Sequence, residues 1–121
     1  MKILSVDDSA TIRRIIHNSV DVLGYDFVEA RDGVDALKVL ENEYKEVSLA
    51  LLDWNMPNMD GYSLLQAMKK DERFKNIPVL MVTTEGERSR IAQAISAGAV
   101  NYLIKPFSNE DLTAKIMESL V

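Results

Sequence analysis

The sequence predicts an α/β fold built on a five-stranded parallel sheet. Five short β-rich segments alternate with five longer amphipathic ones, and two of the short segments are apolar almost throughout. No internal repeat or low-complexity linker interrupts the series. Such alternation implies a parallel sheet covered by helices on both faces, with right-handed crossovers. The 121 residues suffice for one core, so a single domain over residues 1–121 is expected.

The first strand is Lys2 to Val6. From Ala10 to Leu23, Ile12, Ile15, Ile16, Val20 and Leu23 recur at helical spacing, with Ser9 as N-cap and Gly24 as the stop. Asp26 to Ala30 forms the second strand and Asp32-Gly33 a turn. Val34, Leu37, Val39, Leu40 and Tyr44 supply the second helix. Val47 to Leu52 is the apolar run expected of a strand buried on both faces. The loop from Asp53 to Gly61 leads to a third helix, Tyr62 to Lys70, with Leu64, Leu65 and Met68 inward. Pro78 to Val82 is another buried strand, and Glu87 to Ala97 a fourth helix ended by Gly98. Val100 to Ile104 and Asn109 to Leu120 complete the series.

Composition narrows the function classes. Hydrophobic residues make up 47% and charged residues 27%, the balance of a globular protein in water. The net charge of −5 argues against non-specific nucleic-acid binding and favours protein partners. Cysteine is absent, which removes disulfides and thiolate metal sites and suits a reducing cytoplasm. No apolar run reaches bilayer length, and the N-terminus is too soon acidic for a signal peptide. A cytoplasmic protein without membrane association is the expectation.

Five βα units fit the flavodoxin-like order 2-1-3-4-5, a three-layer sandwich whose crevice lies at the carboxyl ends of strands one and three. The informative residues fall there. Asp7 and Asp8 follow strand one, Asp53 strand three, Thr83 and Thr84 strand four, and Lys105 strand five. Core packing does not require that coincidence. Two carboxylates about 4 Å apart repel by roughly 4 kcal/mol at an effective dielectric of about 20. Either some are protonated or a cation sits among them. An all-oxygen acidic site suits Mg²⁺ or Mn²⁺ rather than zinc. Asp53 is the candidate nucleophile, since carboxylates form acyl phosphates. Lys105 would pair with it as a point charge, and Thr83 would donate to a phosphoryl oxygen.

Asp7-Asp8, the run Asp53-Trp54-Asn55-Met56-Pro57-Asn58-Met59-Asp60-Gly61, Thr83 and Lys105-Pro106-Phe107 together resemble the response-regulator receiver family. The resemblance spans essentially the whole chain and is greatest to single-domain chemotaxis regulators. It implies that Asp53 is the phosphoacceptor, charged by the phosphohistidine of a sensor kinase. It implies Mg²⁺ on Asp8, Asp53 and the Asn55 backbone carbonyl, with Asp7 acting through water. Thr83 and Tyr102 match the switch pair, and Lys105-Pro106 the family's cis peptide. Asn55, Thr84 and Glu85 match positions flanking the phosphate. Thr84 is larger than the usual Ala or Gly, which implies narrower access and an altered dephosphorylation rate. The output implied is docking through helix four, strand five and helix five, with a flagellar motor-switch protein as partner. Ser89-Arg90-Ile91 and Ala94-Ile95 would lie near that contact. A phosphatase is a further implied partner, and the protein is expected to be monomeric and not an enzyme.

Other readings of the same residues stand beside these. Asp7-Asp8 also suits a helix N-terminus, as does Glu85, and Lys105 could merely snorkel. Tyr102 could be strand packing. His17 reads as a solvated histidine beside the first helix's apolar stripe, and the six methionines as packing. Trp54, next to Asp53, is expected to be partly exposed near the metal. A phosphorelay or cell-cycle receiver shares all of this chemistry. A haloacid-dehalogenase-type hydrolase would need an aspartate where Asn55 stands. An FMN-binding flavodoxin would need a hydroxyl- and glycine-rich phosphate loop where Asp7-Asp8 would repel the phosphate.

Overall fold

The computed structural model describes residues 1–84 and 88–120, without the Arg88 side chain. Its strands are β1 (Lys2–Val6), β2 (Asp26–Ala30), β3 (Val47–Asp53), β4 (Val79–Thr83) and β5 (Asn101–Ile104). Its helices are α1 (Ala10–Val22), α2 (Gly33–Glu43), α3 (Gly61–Lys70), α4 (Arg88–Ser96) and α5 (Asn109–Ser119). The strands pair in parallel in the order β2-β1-β3-β4-β5, as expected.

The two-residue period of the strands divides the core. Leu4, Val6, Ala50, Leu52, Val79 and Met81 pack with Ala36 and Leu40 of α2, Leu64, Leu65 and Met68 of α3, and Ala94 of α4. Ile3, Leu49, Leu51, Leu80, Val82 and Leu103 pack with Ile16 and Val20 of α1 and Leu112 and Ile116 of α5. The apolar run in β3 is thus two interleaved faces, each with its own helical layer. No helix among the described residues is long and apolar enough to cross a membrane.

Side chains start the helices where backbone donors lack partners. Ser9 Oγ accepts from the Ile12 amide at 3.2 Å, and Ser108 and Asp111 form a reciprocal capping box on α5. Gly24, at φ 83°, ends α1 in the left-handed region.

Several expected boundaries shift for identifiable reasons. Asp32-Gly33 is not a free turn: Asp32 caps α2 by accepting from the Asp35 amide at 2.8 Å, and Gly33 is the first helical residue. Val34 is 42% exposed, because the inward face of α2 runs through Ala36 and Leu40. β3 extends to Asp53, which pairs with Val82. α3 starts at Gly61, one residue early, since the Asp60 carboxylate caps it. β5 begins at Asn101, leaving Val100 exposed. The expected start of α4 at Glu87 lies outside the described residues.

Candidate functional site

β1, β3, β4 and β5 all run in one direction, so their carboxyl ends share a rim. Asp7 follows β1 with 1% exposure, and Asp53 closes β3 with 6%. Thr83 closes β4 and is also buried, whereas Asp8 and Thr84 are exposed. Lys105 follows β5, and its amide donates to the Thr83 carbonyl at 2.7 Å. The Lys105–Pro106 peptide is cis, as the resemblance implies.

The ammonium of Lys105 lies 2.7 Å from Asp7 Oδ2 and 3.3 Å from Asp53 Oδ1. The other oxygen of Asp7 accepts from the Ser9 amide at 2.8 Å. Carboxylate oxygens of Asp7, Asp8 and Asp53 all lie within 4.8 Å of one another. One ammonium therefore pairs with the two buried members of a three-carboxylate cluster. Burial pushes the Asp53 carboxyl up to about 6, Asp7 pushes it the same way, and Lys105 opposes both. Lys105 is held above its ordinary value: burial works against its charge, but hydrogen bonding and attraction from Asp7, then Asp53, prevail.

This donor set fits a hard dication. All its ligand atoms are oxygens, the charge imbalance is negative, and the exposed Asp8 gives access from solvent. Asp53 is the buried carboxylate that receives the ammonium's longer contact.

Trp54 corrects an expectation. It is only 8% exposed and belongs to the core with Ala50 and Leu52. Its amide donates to the Val82 carbonyl at 3.0 Å, so strand pairing continues past Asp53. Alternation then sends the indole to the α2–α3–α4 side. There it stacks on Tyr62 at 5.2 Å with 15° between planes, and the Arg90 guanidinium lies 5.0 Å from its centroid.

Asn55 is exposed, and its Oδ1 accepts a long 3.5 Å hydrogen bond from Arg90. Tyr102 is half-buried, with the Lys115 ammonium 4.9 Å from its ring centroid. Ala94 is 1% exposed and packs inward, so only Ile95 of the expected contact pair reaches the surface, at 46%. Glu85 lies outside the described residues. His17 is not simply solvated: it stacks on Phe27 at 4.2 Å and sits 3.6 Å from Asp21.

Sequence reasoning missed the supporting roles of Arg13 and Asn58, and the reach of Arg90 to Trp54 and Asn55. Arg13 Nη1 donates to the Asp7 carbonyl at 2.6 Å while its Nε bonds Glu29 at 2.6 Å, bracing the turn that carries Asp7 and Asp8. Asn58, at φ 66°, donates to Asp32 at 2.9 Å and ties the β3–α3 loop to the start of α2. Left-handed Asn is the available signal in that loop; Arg13 and Arg90 carry none, because their partners are distant in sequence.

Residues 3–117 match the family described as the response regulator receiver domain. The chain is 44% identical to the chemotaxis protein CheY1 of Helicobacter pylori over 117 residues, covering 96% of this chain and 94% of that protein. It is 47% identical to the chemotaxis protein CheY of Pseudomonas aeruginosa over 117 residues, covering 96% and 93%. Among solved structures, the CheX–CheY–BeF3–Mg complex from Borrelia burgdorferi superposes with a TM-score of 0.94 at 25% identity, covering 100% of this chain and 90% of that one.

Proposed function

We propose that this chain, a phosphorylation-activated regulator that belongs to the response regulator receiver family, is phosphorylated on Asp53. The observation that carries this reading is a buried Asp53 carboxylate facing one ammonium, inside a cluster of three carboxylates. Asp8, Asp53 and the Asn55 backbone carbonyl would hold Mg²⁺, or Mn²⁺ in its place, with Asp7 joined through water. When bound, the cation neutralises the carboxylates and the phosphoryl oxygens, so that anion can approach anion.

An Asp53 oxygen attacks phosphorus in line with the P–N bond of the donor phosphohistidine. That bond breaks with its pair going to the ring nitrogen; the donor imidazole, protonated on its other nitrogen, leaves neutral, and an aspartyl phosphate forms. Lys105, already 3.3 Å from Asp53, pairs with a phosphoryl oxygen. The Thr83 hydroxyl donates to another, and Tyr102 turns toward the space it vacates. Phosphorylation thereby biases a two-state element. Asn55 and Thr84 flank the phosphate and set its lifetime.

The altered face is α4, β5 and α5, where Ile95, Val100 and Ile104 are exposed at 46%, 52% and 37%. The chemotaxis names of the relatives support a chemotaxis kinase upstream and a flagellar motor-switch protein downstream, in the cytoplasm. A phosphatase would end the signal. The protein itself assists only its own phosphorylation and dephosphorylation.

Incubation with Mg²⁺ and acetyl phosphate tests the acceptor by intact mass. One phosphoryl group is expected on the wild type and none on Asp53→Asn. Equal labelling of the two would remove Asp53 from this role. Binding of the phosphorylated protein to a motor-switch protein, compared with candidate phosphotransferases, separates chemotaxis from a phosphorelay.

A further inference from the structure

Trp54 and Asn55 are the two residues that follow Asp53, and both are contacted by one side chain from another element. Arg90 of α4 places its guanidinium 5.0 Å from the Trp54 ring centroid and its Nη1 3.5 Å from Asn55 Oδ1. A planar guanidinium can stack on an aromatic face while its N–H groups donate sideways, which a lysine cannot do. Tyr62 of α3 holds the same indole at 5.2 Å. The loop leaving β3 is thus gripped from two helices at its first residue, and from α4 at its second.

We propose that Arg90 is a positioning residue of the phosphorylation site, a clamp from α4 that fixes the β3–α3 loop through Trp54 and Asn55. The proposal rests on the reading above, in which the Asn55 backbone carbonyl completes the cation's protein ligands. Arg90 touches neither phosphoryl group nor cation in this account. It orders the loop that presents the carbonyl, and it links the placement of α4 to the geometry of the site.

The sign of one effect separates positioning from charge. If Arg90 acted only through its charge, removing it would tighten Mg²⁺ binding, because like charges repel. If it orders a ligand-bearing loop, removing it loosens Mg²⁺ by about tenfold, the usual scale for a residue that supports a metal ligand.

The test measures Mg²⁺ affinity by calorimetry and acrylamide quenching of fluorescence in the metal-free protein. Trp54 is the sole tryptophan, so emission excited selectively at the indole reports the surroundings of Trp54. Arg90→Ala is expected to weaken Mg²⁺ about tenfold and to make Trp54 more quenchable. Arg90→Lys, which keeps the charge, recovers part of both effects; Arg90→Met, which keeps the bulk, recovers quenching protection but not Mg²⁺ affinity. Unchanged or tighter Mg²⁺ binding in Arg90→Ala, or full recovery by Met, overturns the proposal. Acetyl phosphate labelling of the wild type, run alongside, judges the phosphorylation reading separately. Its failure would sink that reading, while quenching still decides whether Arg90 holds Trp54.

Discussion

Lys105 sits 2.7 Å from Asp7 and 3.3 Å from Asp53, closer to the first carboxylate than to the proposed acceptor. Asp7 also accepts from the Ser9 amide, so this carboxylate is satisfied on both oxygens. Asp53 is the less tightly held of the two buried carboxylates.

Lys105→Ala should therefore separate binding from switching. Mg²⁺ affinity is expected to be largely retained, because the carboxylates remain. The metal-free protein should lose about 3 kcal/mol, since two buried carboxylates are left facing each other. Urea unfolding in EDTA measures this loss, and added Mg²⁺ should restore much of it. A loss of Mg²⁺ affinity as severe as that of Asp8→Ala would contradict the assignment.

The raised Asp53 carboxyl makes metal-free stability depend on pH in a defined direction. The folded protein holds this proton up to about 6, the unfolded chain only to 3.8. Between those values the folded state binds more protons, so this contribution falls as pH rises and is fully lost above about 6. Its size is ~3 kcal/mol at most. Asp53→Asn should flatten this part of the profile and stabilise the metal-free protein at neutral pH. Mg²⁺ binding should weaken below about pH 6, where the proton competes. Urea midpoints from pH 4 to 8 in EDTA check the first; calorimetry checks the second.

Ser5 is fully buried in β1, and its hydroxyl has no hydrogen-bond partner among the described residues. A buried polar group without a partner is costly, and an apolar replacement removes that cost. Ser5→Ala is expected to raise stability by about 1 kcal/mol in urea unfolding. A loss of similar size would show that the hydroxyl is satisfied in solution.

Gly61 opens α3 against the backbone of Asp53. Its amide donates to the Trp54 carbonyl at 2.9 Å, and a β-carbon here would run into the Asp53 carbonyl. Backbone atoms cannot give way as a flexible side chain can. Gly61→Ala should cost about 3 kcal/mol by thermal unfolding and slow acetyl phosphate labelling through displacement of Asp53. Wild-type behaviour in both assays would refute this packing argument.

Much of this protein was legible in the chain because the signals are local. The period of two in β3, the period near four in the helices, and caps such as Ser9 and Ser108 lie within a few residues of what they specify. Placing Asp7, Asp8, Asp53, Thr83 and Lys105 on one rim needed only strand ends and a parallel sheet. Tertiary structure decided what depends on facing direction and distant partners. Alternation carried past Asp53 buried Trp54, and helical phase turned Ala94 inward and Val34 outward. The choice of Lys105 between two carboxylates, the hold of Arg13 on Asp7, and the reach of Arg90 to Trp54 join side chains from separate elements. Their geometry follows from how the packed layers meet, and no local pattern in the chain encodes it.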